Sequence, residues 1–533
     1  MNTFVDAINN STDGSWAKNM EKKKAPSQKV DIPRGYGAQV VEDRWKLLLK
    51  NEQYQNYVKE KTSSKDISLS EIQQLDPKAI LLDQDTLDKN DLFKDNVENF
   101  VGTVKVPLGI AGPLRMNGLH AQGDFYIPLA TTEAALVASI SRGISCINQS
   151  GGCTAAVILE GINRDPAFQF NNLIEVGQFL AWSATQFNNY KKEAEKTTRH
   201  GKLYDIKYTV EGRDVHMKCV YTSGDASGQN IVTIATENIV DYILENSPIK
   251  PAMHFLEGGM SGDKKGNQSV LTYVRGKKVV AEVHVPPHVC QTTLHVTPEQ
   301  MIQSAGVGTR GLMLSGALGA SCHFSNAITA MSIALGQDPA CAAECHVGLA
   351  RCELSKDGSV YLSVTVPNIL VGTVGGGTKL PSQRACLELM GLYGNGKARA
   401  LAEIFAAVLI AGELSLGSAV VSGDFAKAHK ILARDTSEKI LDDDSPGEAF
   451  QKAQAMIVKM STLPSREDIM KIYGLYKQAT VGDINVDRPS FFSTDFKAKA
   501  KYDAWANMKG YSKEQAMKEY VSFVVSLVDA DKK

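Results

Sequence analysis

Glu133 is the residue in this sequence that is best suited to proton transfer, because it lies where an ionisable group is unusual. It belongs to the stretch PLATTEAALVASISRG at 128–143, where Thr131 or Thr132 is a natural N-cap. The residues after Glu133 are small or apolar for two turns, which predicts a central helix that is buried nearly all round. Glu133 then either caps the helix dipole, the commoner role of a lone glutamate, or is a buried carboxyl group held for proton transfer.

Other candidates lie further along the chain. The glycine-rich turn GGMSGDKK ends in Lys264 and Lys265. Asn326 lies in a predicted helix, Asp338 follows the end of that helix, and His429 follows a long apolar helix in the segment AKAHK. Each of these residues is ordinary by itself, and a lysine pair is usually solvated charge.

A second glycine-rich segment, GTVGGGT at 372–378, includes Gly375, Gly376 and Gly377. Backbone amides free of side chains can approach a phosphate closely, although such a run is also typical of a tight turn.

The sequence predicts that a mixed α+β body positions these residues. A helix at 173–196, two strand-like segments and a helix at 227–245 indicate a compact α+β unit inserted into a larger domain. A hairpin is predicted to turn at Arg275–Gly276, and an apolar helix at 395–421 is predicted to end at Gly423. We expect the domains to be a mobile tail at 1–28, a helical lead-in at 29–100, a main body at 101–434 with its insertion at about 166–254, an acidic linker at 435–445, and a helical domain at 446–533.

Composition excludes several classes of protein. The 533 residues carry a net charge of -1, so no basic field indicates a nucleic-acid partner. The longest apolar run, 404–412, is far shorter than the roughly 18–20 residues that span a membrane. The first residues contain no apolar segment of the kind found in a secretory signal.

The nine cysteines are odd in number and irregular in spacing, which indicates reduced thiols in the cytoplasm and no disulfide framework. Cys341, Cys345, His346 and Cys352 cluster, but no second ligand pair completes a zinc pattern, and we expect small buried thiols and no metal.

Motifs spread over about 30–434 resemble those of the 3-hydroxy-3-methylglutaryl-CoA (HMG-CoA) reductases. In chain order they are ENFVG, PLGIAGP, LATTEAALVAS, SRG, GDKK, HFSNAITA, ALGQD, VPNILVGTVGGGT and AGELSL. The separation of 74 residues between Lys264 and Asp338 resembles the eukaryotic-type class. The resemblance implies an α+β body around a central helix with an inserted ferredoxin-like cofactor domain. It also implies reduction of HMG-CoA to mevalonate and CoA by two NAD(P)H, with NADPH favoured over NADH, at a subunit interface of a homodimer or homotetramer.

The resemblance also assigns roles to residues. Lys264 would stabilise the thioester oxyanion, Glu133 would supply a proton, Asp338 would lie close to both, and His429 would protonate the CoA thiolate. Arg164 and Asn326 match substrate-binding positions. Asp225, Asn230 and the glycines Gly375, Gly376 and Gly377 match the cofactor site.

Four positions depart from the pattern of this family. Glu257 replaces a serine that contacts the substrate carboxylate, Gly306 replaces a lysine, and Ser227 and Gln229 replace methionines of the cofactor motif. An alternative reading is therefore an acyl-CoA carrier or sensor whose reductase body is inactive or altered in specificity.

The last segment, 446–533, is predicted to be an all-α four-helix bundle, opened by three capping-box patterns. Its runs IYGLYKQATVGDINVDRP and KAKAKYDAWANMKGYSKEQAMKEYV resemble acyl-CoA-binding protein. By that resemblance the CoA head group is bound by Tyr473, Lys477, Lys501 and Tyr520. Because both parts of the chain resemble binders of CoA thioesters, we expect the bundle to bind long-chain acyl-CoA and either to regulate the reductase or merely to tether it.

Overall fold

The computed structural model describes residues 32–62, 76–426, 446–458, 460, 464–486 and 496–531. Four features of the sequence analysis lie outside these residues: the N-terminal tail at 1–28, His429, the acidic linker at 435–445 and the first of the three capping-box patterns, which begins at Ser445.

The first unit of the chain, residues 1–105, is helical where it is described. Its first helix ends at Leu49 with Lys50 as the C-cap, and a second helix follows, where the Asn51 side chain accepts a hydrogen bond from the Tyr54 amide. Arg44 is buried and donates to the carbonyl oxygens of Pro33, Gly35 and Phe100. The four helices are α1 (Ala38–Leu49), α2 (Glu52–Thr62), α3 (Pro77–Leu81) and α4 (Gln84–Asp88).

The second unit, residues 106–533, contains every described strand. The strands are β1 (Leu108–Asn117), β2 (Gln122–Ala130), β3 (Thr154–Arg164), β4 (Ala167–Gln169), β5 (Lys202–Glu211), β6 (Asp214–Thr222), β7 (Met253–Phe255), β8 (Gly276–Val285), β9 (Leu349–Leu354) and β10 (Val360–Ile369).

The described residues of this unit form fourteen further helices. They are α5 (Leu136–Gln149), α6 (Leu173–Ser183), α7 (Phe187–Glu195), α8 (Gln229–Asn246), α9 (Pro287–Val289), α10 (Pro298–Ser315), α11 (Phe324–Ala334), α12 (Ala342–Cys345), α13 (Pro381–Leu389), α14 (Ala398–Ser422), α15 (Pro446–Val458), α16 (Arg466–Thr480), α17 (Phe496–Ala506) and α18 (Lys513–Asp531).

One antiparallel sheet joins the main body to its insertion. Its strand order is β7-β4-β6-β3-β8-β10-β9, with β5 paired to the other side of β6. The first part of β3 pairs with β8 and its last residues, 162–164, pair with β6. Within the insertion the order β7-β4-β6-β5, with helices between β4 and β5 and between β6 and β7, is the ferredoxin-like arrangement that the resemblance implied.

The helix that is buried all round is α14, and α5 is buried along one face only. Nineteen residues of α14 are buried, and α14 ends at Gly423 in the left-handed conformation, as predicted. Among the described helices α14 is long and apolar enough to cross a membrane, but 78% of its most apolar window is buried inside the protein. It is therefore the core helix of the fold, and α5 packs against it where Gly143 meets Ala411.

Several predicted boundaries are wrong. Helix α5 begins at Leu136, and its N-cap is Ala135 in the left-handed conformation, so neither Thr131 nor Thr132 caps it. No hairpin turns at Arg275–Gly276, because a 3₁₀ turn at Gln268–Leu271 precedes β8, and Arg275 itself is buried. The apolar pattern also continues through helix breaks, since the predicted helix at 173–196 is α6 and α7 in the structure, and residues 316–323 separate α10 from α11.

The C-terminal helices α15–α18 have a core of their own, built around Phe450, Leu475, Tyr520 and Val524. Two of the predicted capping patterns lie in described residues. Ser512 and Gln515 exchange both hydrogen bonds of a capping box, and the Ser465 hydroxyl accepts the Asp468 amide.

Candidate active site

Glu133 lies on the loop before α5 and faces Asn326 in the first turn of α11. The Asn326 amide nitrogen is 2.9 Å from each carboxylate oxygen of Glu133. Glu133 is exposed, which corrects the expectation of a buried carboxyl group. Its place outside the helix follows from the turn at 131–135, where the Thr131 hydroxyl accepts the backbone amide of Glu133.

Glu133 and Asn326 line a cavity of about 480 Å³ whose wall includes His323, a residue that the sequence analysis missed. His323 is 4% exposed, and burial lowers its pKa to about 4, so the ring is neutral. Neither ring nitrogen has a hydrogen-bond partner among the described residues. A lone histidine in an apolar helical run gives no sequence signal of such a position.

Lys264 and Asp338 form the second pair of the predicted catalytic set. The Lys264 ammonium nitrogen lies 2.8 Å from Asp338 Oδ2, and both side chains are about 40% exposed, at 43% and 40%. The hydrogen bond to Asp338 raises the pKa of Lys264. The other oxygen of Asp338 accepts the Ala340 amide, so the carboxylate is held at the start of a 3₁₀ turn, at 339–341.

The two pairs are not joined to each other. Asn326 is at the beginning of α11 and Asp338 lies beyond its end. Among the described residues no hydrogen bond or ion pair links Glu133 to Lys264 or Asp338, although the resemblance implied that Asp338 would lie close to both. His429 lies outside the described residues, and its role stays a prediction.

Arg164, at the end of β3, is 8% exposed and is paired with two carboxylates. Its Nη1 atom lies 3.0 Å from Glu257 Oε2 and 3.4 Å from Asp263 Oδ2. Glu257, one of the departures from the family pattern, therefore has a cationic partner and does not place an unpaired negative charge in the site. This pairing weakens the argument that the body is an inactive reductase.

Asp165, next to Arg164, is fully buried, and neither of its carboxylate oxygens has a partner among the described residues. Burial raises its pKa to about 7, with Lys218 opposing the rise. Sequence reasoning did not single out this residue, because RDP reads as an ordinary turn.

A buried ion pair lies behind Lys264. Arg275 Nη1 is 2.6 Å from Glu344 Oε1 and 2.8 Å from Oε2, and the two side chains are 1% and 0% exposed. Arg275 Nη2 also donates to Asp263 Oδ1 at 2.8 Å. The sequence places Arg275 beside a glycine, which indicated a turn and concealed its burial.

The glycine-rich segment and the predicted cofactor motif lie together. The Thr373 amide donates to the Asp225 carbonyl oxygen. Gly372 lies so close to Ser227 that a Cβ atom at position 372 would be 2.7 Å from the Ser227 backbone nitrogen. The Asp225 carboxylate accepts the amides of Gly396 and Ala398 before α14. Asn230 lies in the first turn of α8.

This segment could hold a phosphate. Gly375 and Gly376 have positive φ angles of 75° and 51°, and a Cβ built on either would meet open space. Their backbone is therefore accessible to a ligand, in keeping with a dinucleotide. Gln337 exchanges two hydrogen bonds with Gly372, which places this segment against the residue before Asp338.

The predicted acyl-CoA residues lie on three helices of the C-terminal domain. Lys501 Nζ lies 5.0 Å from the centroid of the Tyr473 ring, and Lys477 Nζ lies 4.5 Å from that of Trp505. Tyr520 is 4% exposed and packs edge-on against Phe450, and burial raises its pKa to about 12. The arrangement offers cations beside aromatic faces, which suits a nucleotide head group.

Comparison with known proteins agrees with both parts of this geometry. Residues 59–434 match the family described as hydroxymethylglutaryl-coenzyme A reductase, and residues 447–524 match acyl CoA binding protein. A 3-hydroxy-3-methylglutaryl-coenzyme A reductase from Pyrococcus abyssi is 39% identical over 356 residues, 66% of this chain and 87% of that protein. The Aeropyrum pernix enzyme is 42% identical over 356 residues, 65% of this chain and 84% of its own length.

Among solved structures, the class II 3-hydroxy-3-methylglutaryl-CoA reductase from Streptococcus pneumoniae, bound to NADPH in open conformations, is similar with a TM-score of 0.51 and 20% identity. The similarity covers 67% of the present chain and 98% of the Streptococcus pneumoniae chain. This likeness concerns the fold. Since these relatives are archaeal and this structural neighbour is a class II enzyme, the comparisons do not support the eukaryotic-type class.

The motifs, the sheet order and the family match over 59–434 agree. The chain belongs to the hydroxymethylglutaryl-coenzyme A reductase family and carries an acyl-CoA-binding domain after its reductase body.

Proposed function

We propose that this protein reduces HMG-CoA to mevalonate and CoA at the expense of two NADPH, with NADH a poorer donor, and that its C-terminal domain binds long-chain acyl-CoA. The observation that carries the reductase proposal is the pair of Lys264 and Asp338 beside the glycine-rich segment. A cation at this position can stabilise the negative charge that develops on a carbonyl oxygen as hydride arrives.

Lys264 is the oxyanion stabiliser in this proposal. Its hydrogen bond to Asp338 raises its pKa, so the ammonium stays charged at neutral pH. Asp338 keeps the ammonium directed into the site and is itself fixed by the Ala340 amide. The thioester becomes a hemithioacetal in the first reduction, and the aldehyde becomes the alcohol in the second.

Glu133 supplies a proton to the developing alcohol oxygen, and Asn326 orients its carboxyl group through two hydrogen bonds. His429 protonates the departing CoA thiolate, because an imidazole with an ordinary pKa of about 6.5 donates well at neutral pH. Arg164 binds the carboxylate of the substrate, in competition with Glu257.

The cofactor is held by Gly375, Gly376, Gly377, Asp225 and Asn230. NADPH supplies the hydride when bound. The open backbone at Gly375 and Gly376 receives phosphate oxygens, and Asp225 acts by holding the segment before α14 in place.

The protein is proposed to work as a homodimer or homotetramer in the cytoplasm. Exposed apolar side chains on α10 favour self-association, with Val307, Met313 and Leu314 exposed by 58%, 75% and 90%. All nine cysteines are free thiols, which suits a reducing compartment.

The test is to incubate the purified full chain with HMG-CoA and NADPH and to identify the products. The proposal predicts mevalonate and free CoA, with about two NADPH oxidised per mevalonate formed. Full-length protein that binds acyl-CoA but forms no mevalonate with either NADPH or NADH would contradict the reductase proposal and favour the carrier function.

A further inference from the structure

The backbone of Lys264 is held in an unusual conformation. Its φ angle is 57°, in the left-handed region that residues with a Cβ seldom adopt. Such a conformation persists only where the surrounding structure fixes it. The contact that does so is a hydrogen bond of 3.2 Å from the Lys264 amide to Glu344 Oε1.

Glu344 and Asp338 belong to the same short segment, 338–345. Lys264 is therefore tied to this segment twice, through its amide to Glu344 and through its ammonium to Asp338. The two ties differ in environment, because Glu344 is fully buried whereas Asp338 is 40% exposed. The ammonium group of Lys264 is therefore accessible to a ligand, whereas the carboxylate that holds its backbone is buried.

Arg275 fixes the carboxylate of Glu344. Its Nη1 atom donates to both carboxylate oxygens, at 2.6 and 2.8 Å, which sets the direction in which Oε1 faces the Lys264 amide. The backbone amide of Arg275 donates to the buried side chain of Asn368 at 3.1 Å, and the Cys345 thiol contacts the Asn368 carbonyl oxygen at 2.6 Å. Both partners are thereby held to the end of β10.

The guanidinium of Arg275 also connects this network to Arg164, the arginine proposed to bind the substrate carboxylate. Arg275 Nη2 donates to one oxygen of Asp263, and Arg164 Nη1 lies near the other, at 2.8 and 3.4 Å. Asp263 directly precedes Lys264 in the chain. Arg275 therefore contacts both the carboxylate that accepts the Lys264 amide and the residue before Lys264.

A pair this deeply buried is a poor source of stability, because the cost of desolvating two charges offsets their attraction. Burial raises the pKa of Glu344, and the nearby Arg275 opposes that rise. A fixed geometry is a better reason for such a pair, since a displacement of about 1 Å in a reacting group can cost on the order of 100-fold in rate.

We propose that Glu344 is a positioning residue for Lys264, with Arg275 as the anchor that orients its carboxylate. The proposal rests on the proposed function only in treating Lys264 as the group that acts on the substrate. Removing the charge of Glu344 releases the Lys264 backbone, and the ammonium then loses its alignment with Asp338.

Two readouts test this in the full-length protein. The first is steady-state kinetics with HMG-CoA and NADPH for Glu344→Gln, Arg275→Lys and a matched control, Glu388→Gln. Glu388 also pairs with an arginine, Arg384, but at an exposed site on α13. The second is the rate at which acetic anhydride labels Lys264, followed by mass spectrometry with exposed Lys356 as the internal standard.

We expect kcat to fall by roughly 10- to 100-fold in Glu344→Gln while KM for HMG-CoA changes by less than about threefold. Arg275→Lys keeps the charge but loses the planar guanidinium, whose Nη1 and Nη2 atoms donate to Glu344 and Asp263, and we expect a smaller fall in the same direction. Labelling of Lys264 should become several-fold faster in both variants, relative to Lys356, and remain unchanged in Glu388→Gln.

Unchanged kcat and unchanged labelling in Glu344→Gln would overturn the proposal. Failure of both variants to fold would assign the pair to stability and would overturn it as well. If the wild type forms no mevalonate, the proposed function fails, and the labelling of Lys264 still decides whether Glu344 positions this lysine.

Discussion

The ammonium group of Lys264 lies 2.8 Å from Asp338, and the backbone amide of the same lysine lies 3.2 Å from Glu344. Glu344 follows Asp338 by six residues in the chain. One short segment therefore holds both the reactive end and the backbone of this lysine. This double attachment makes the chemistry at Lys264 sensitive to changes at either carboxylate.

Asp338→Asn should narrow the pH range of activity. The hydrogen bond from Lys264 to Asp338 raises the pKa of the lysine, so the charged form persists to higher pH than it otherwise would. Without the charge of Asp338 that pKa falls, and the alkaline loss of kcat should move to lower pH. We also expect kcat at pH 7 to fall on the order of 100-fold.

The pH–rate profile of kcat between about pH 8 and 12 checks this prediction, because the pKa of Lys264 is raised above the ordinary value of about 10.4, and Asp357→Asn is the control. Asp357 accepts hydrogen bonds from Ser359 in the turn between β9 and β10. An alkaline limb at the same pH in Asp338→Asn and wild type would show that Asp338 does not control the ionisation of Lys264.

Gly143→Ala should destabilise the reductase body. A Cβ at Gly143 would lie 1.9 Å from the carbonyl oxygen of Ala411, so α5 and α14 must move apart. We expect a loss of about 3 kcal/mol or more in the free energy of unfolding, measured by urea denaturation.

The matched control for this substitution is Gly177→Ala. Gly177 is a helical glycine of α6 with nothing within 4 Å of an added Cβ. Alanine there should stabilise the protein by about 0.5–1 kcal/mol. Equal effects of the two substitutions would contradict the close packing of α5 on α14.

Much of this architecture could be predicted from the sequence, and the failures have physical causes. The end of α14 at Gly423 was predictable because a glycine in the left-handed conformation is a local signal. The order of the inserted strands followed from the family resemblance. Helix breaks at 184–186 and 316–323 were missed, because the apolar pattern continues through them.

The residues of the candidate site stay a prediction, and the arrangement of some of them differs from the one that the resemblance implied. The pairing of Lys264 with Asp338 is consistent with the roles implied by the motifs. The exposure of Glu133 was not predictable, because the left-handed Ala135 moves the helix start past it. Arg275 and Glu344 were missed because an ion pair between positions 69 residues apart leaves no local pattern.

Asp165→Asn should change how stability depends on pH. Burial raises the pKa of Asp165 to about 7, well above the value of about 3.9 in an unfolded chain. Between these values unfolding releases a proton, so this carboxyl group lowers the free energy of unfolding as the pH rises. Stability should fall by up to about 1.4 kcal/mol per pH unit within that window.

Urea denaturation at pH 5 and pH 8 measures this effect. We expect Asp165→Asn to gain about 2 kcal/mol relative to wild type between the two values. Asp205→Asn, at a partly exposed site on β5, should follow the wild type. A constant difference between Asp165→Asn and wild type at both pH values would contradict a titration near neutrality.

Lys501→Ala should weaken binding of long-chain acyl-CoA to the C-terminal domain by about tenfold or more, because a charge-assisted hydrogen bond to phosphate is lost. Isothermal calorimetry of the full-length protein with palmitoyl-CoA checks this. Lys518→Ala is the control, since this lysine pairs with Glu514 on the exposed side of α18. Equal affinity in the two variants would remove Lys501 from the acyl-CoA site.

The central claim is that Lys264 provides the charge that a reductase needs at the substrate oxygen. The most direct measurement is the rate of NADPH oxidation with HMG-CoA by the wild type, by Lys264→Ala, and by Lys356→Ala, a control at an exposed lysine. We predict turnover by the wild type and by Lys356→Ala, and a loss of at least about 1,000-fold in kcat for Lys264→Ala. Turnover by Lys264→Ala at a rate near that of the wild type would contradict the account.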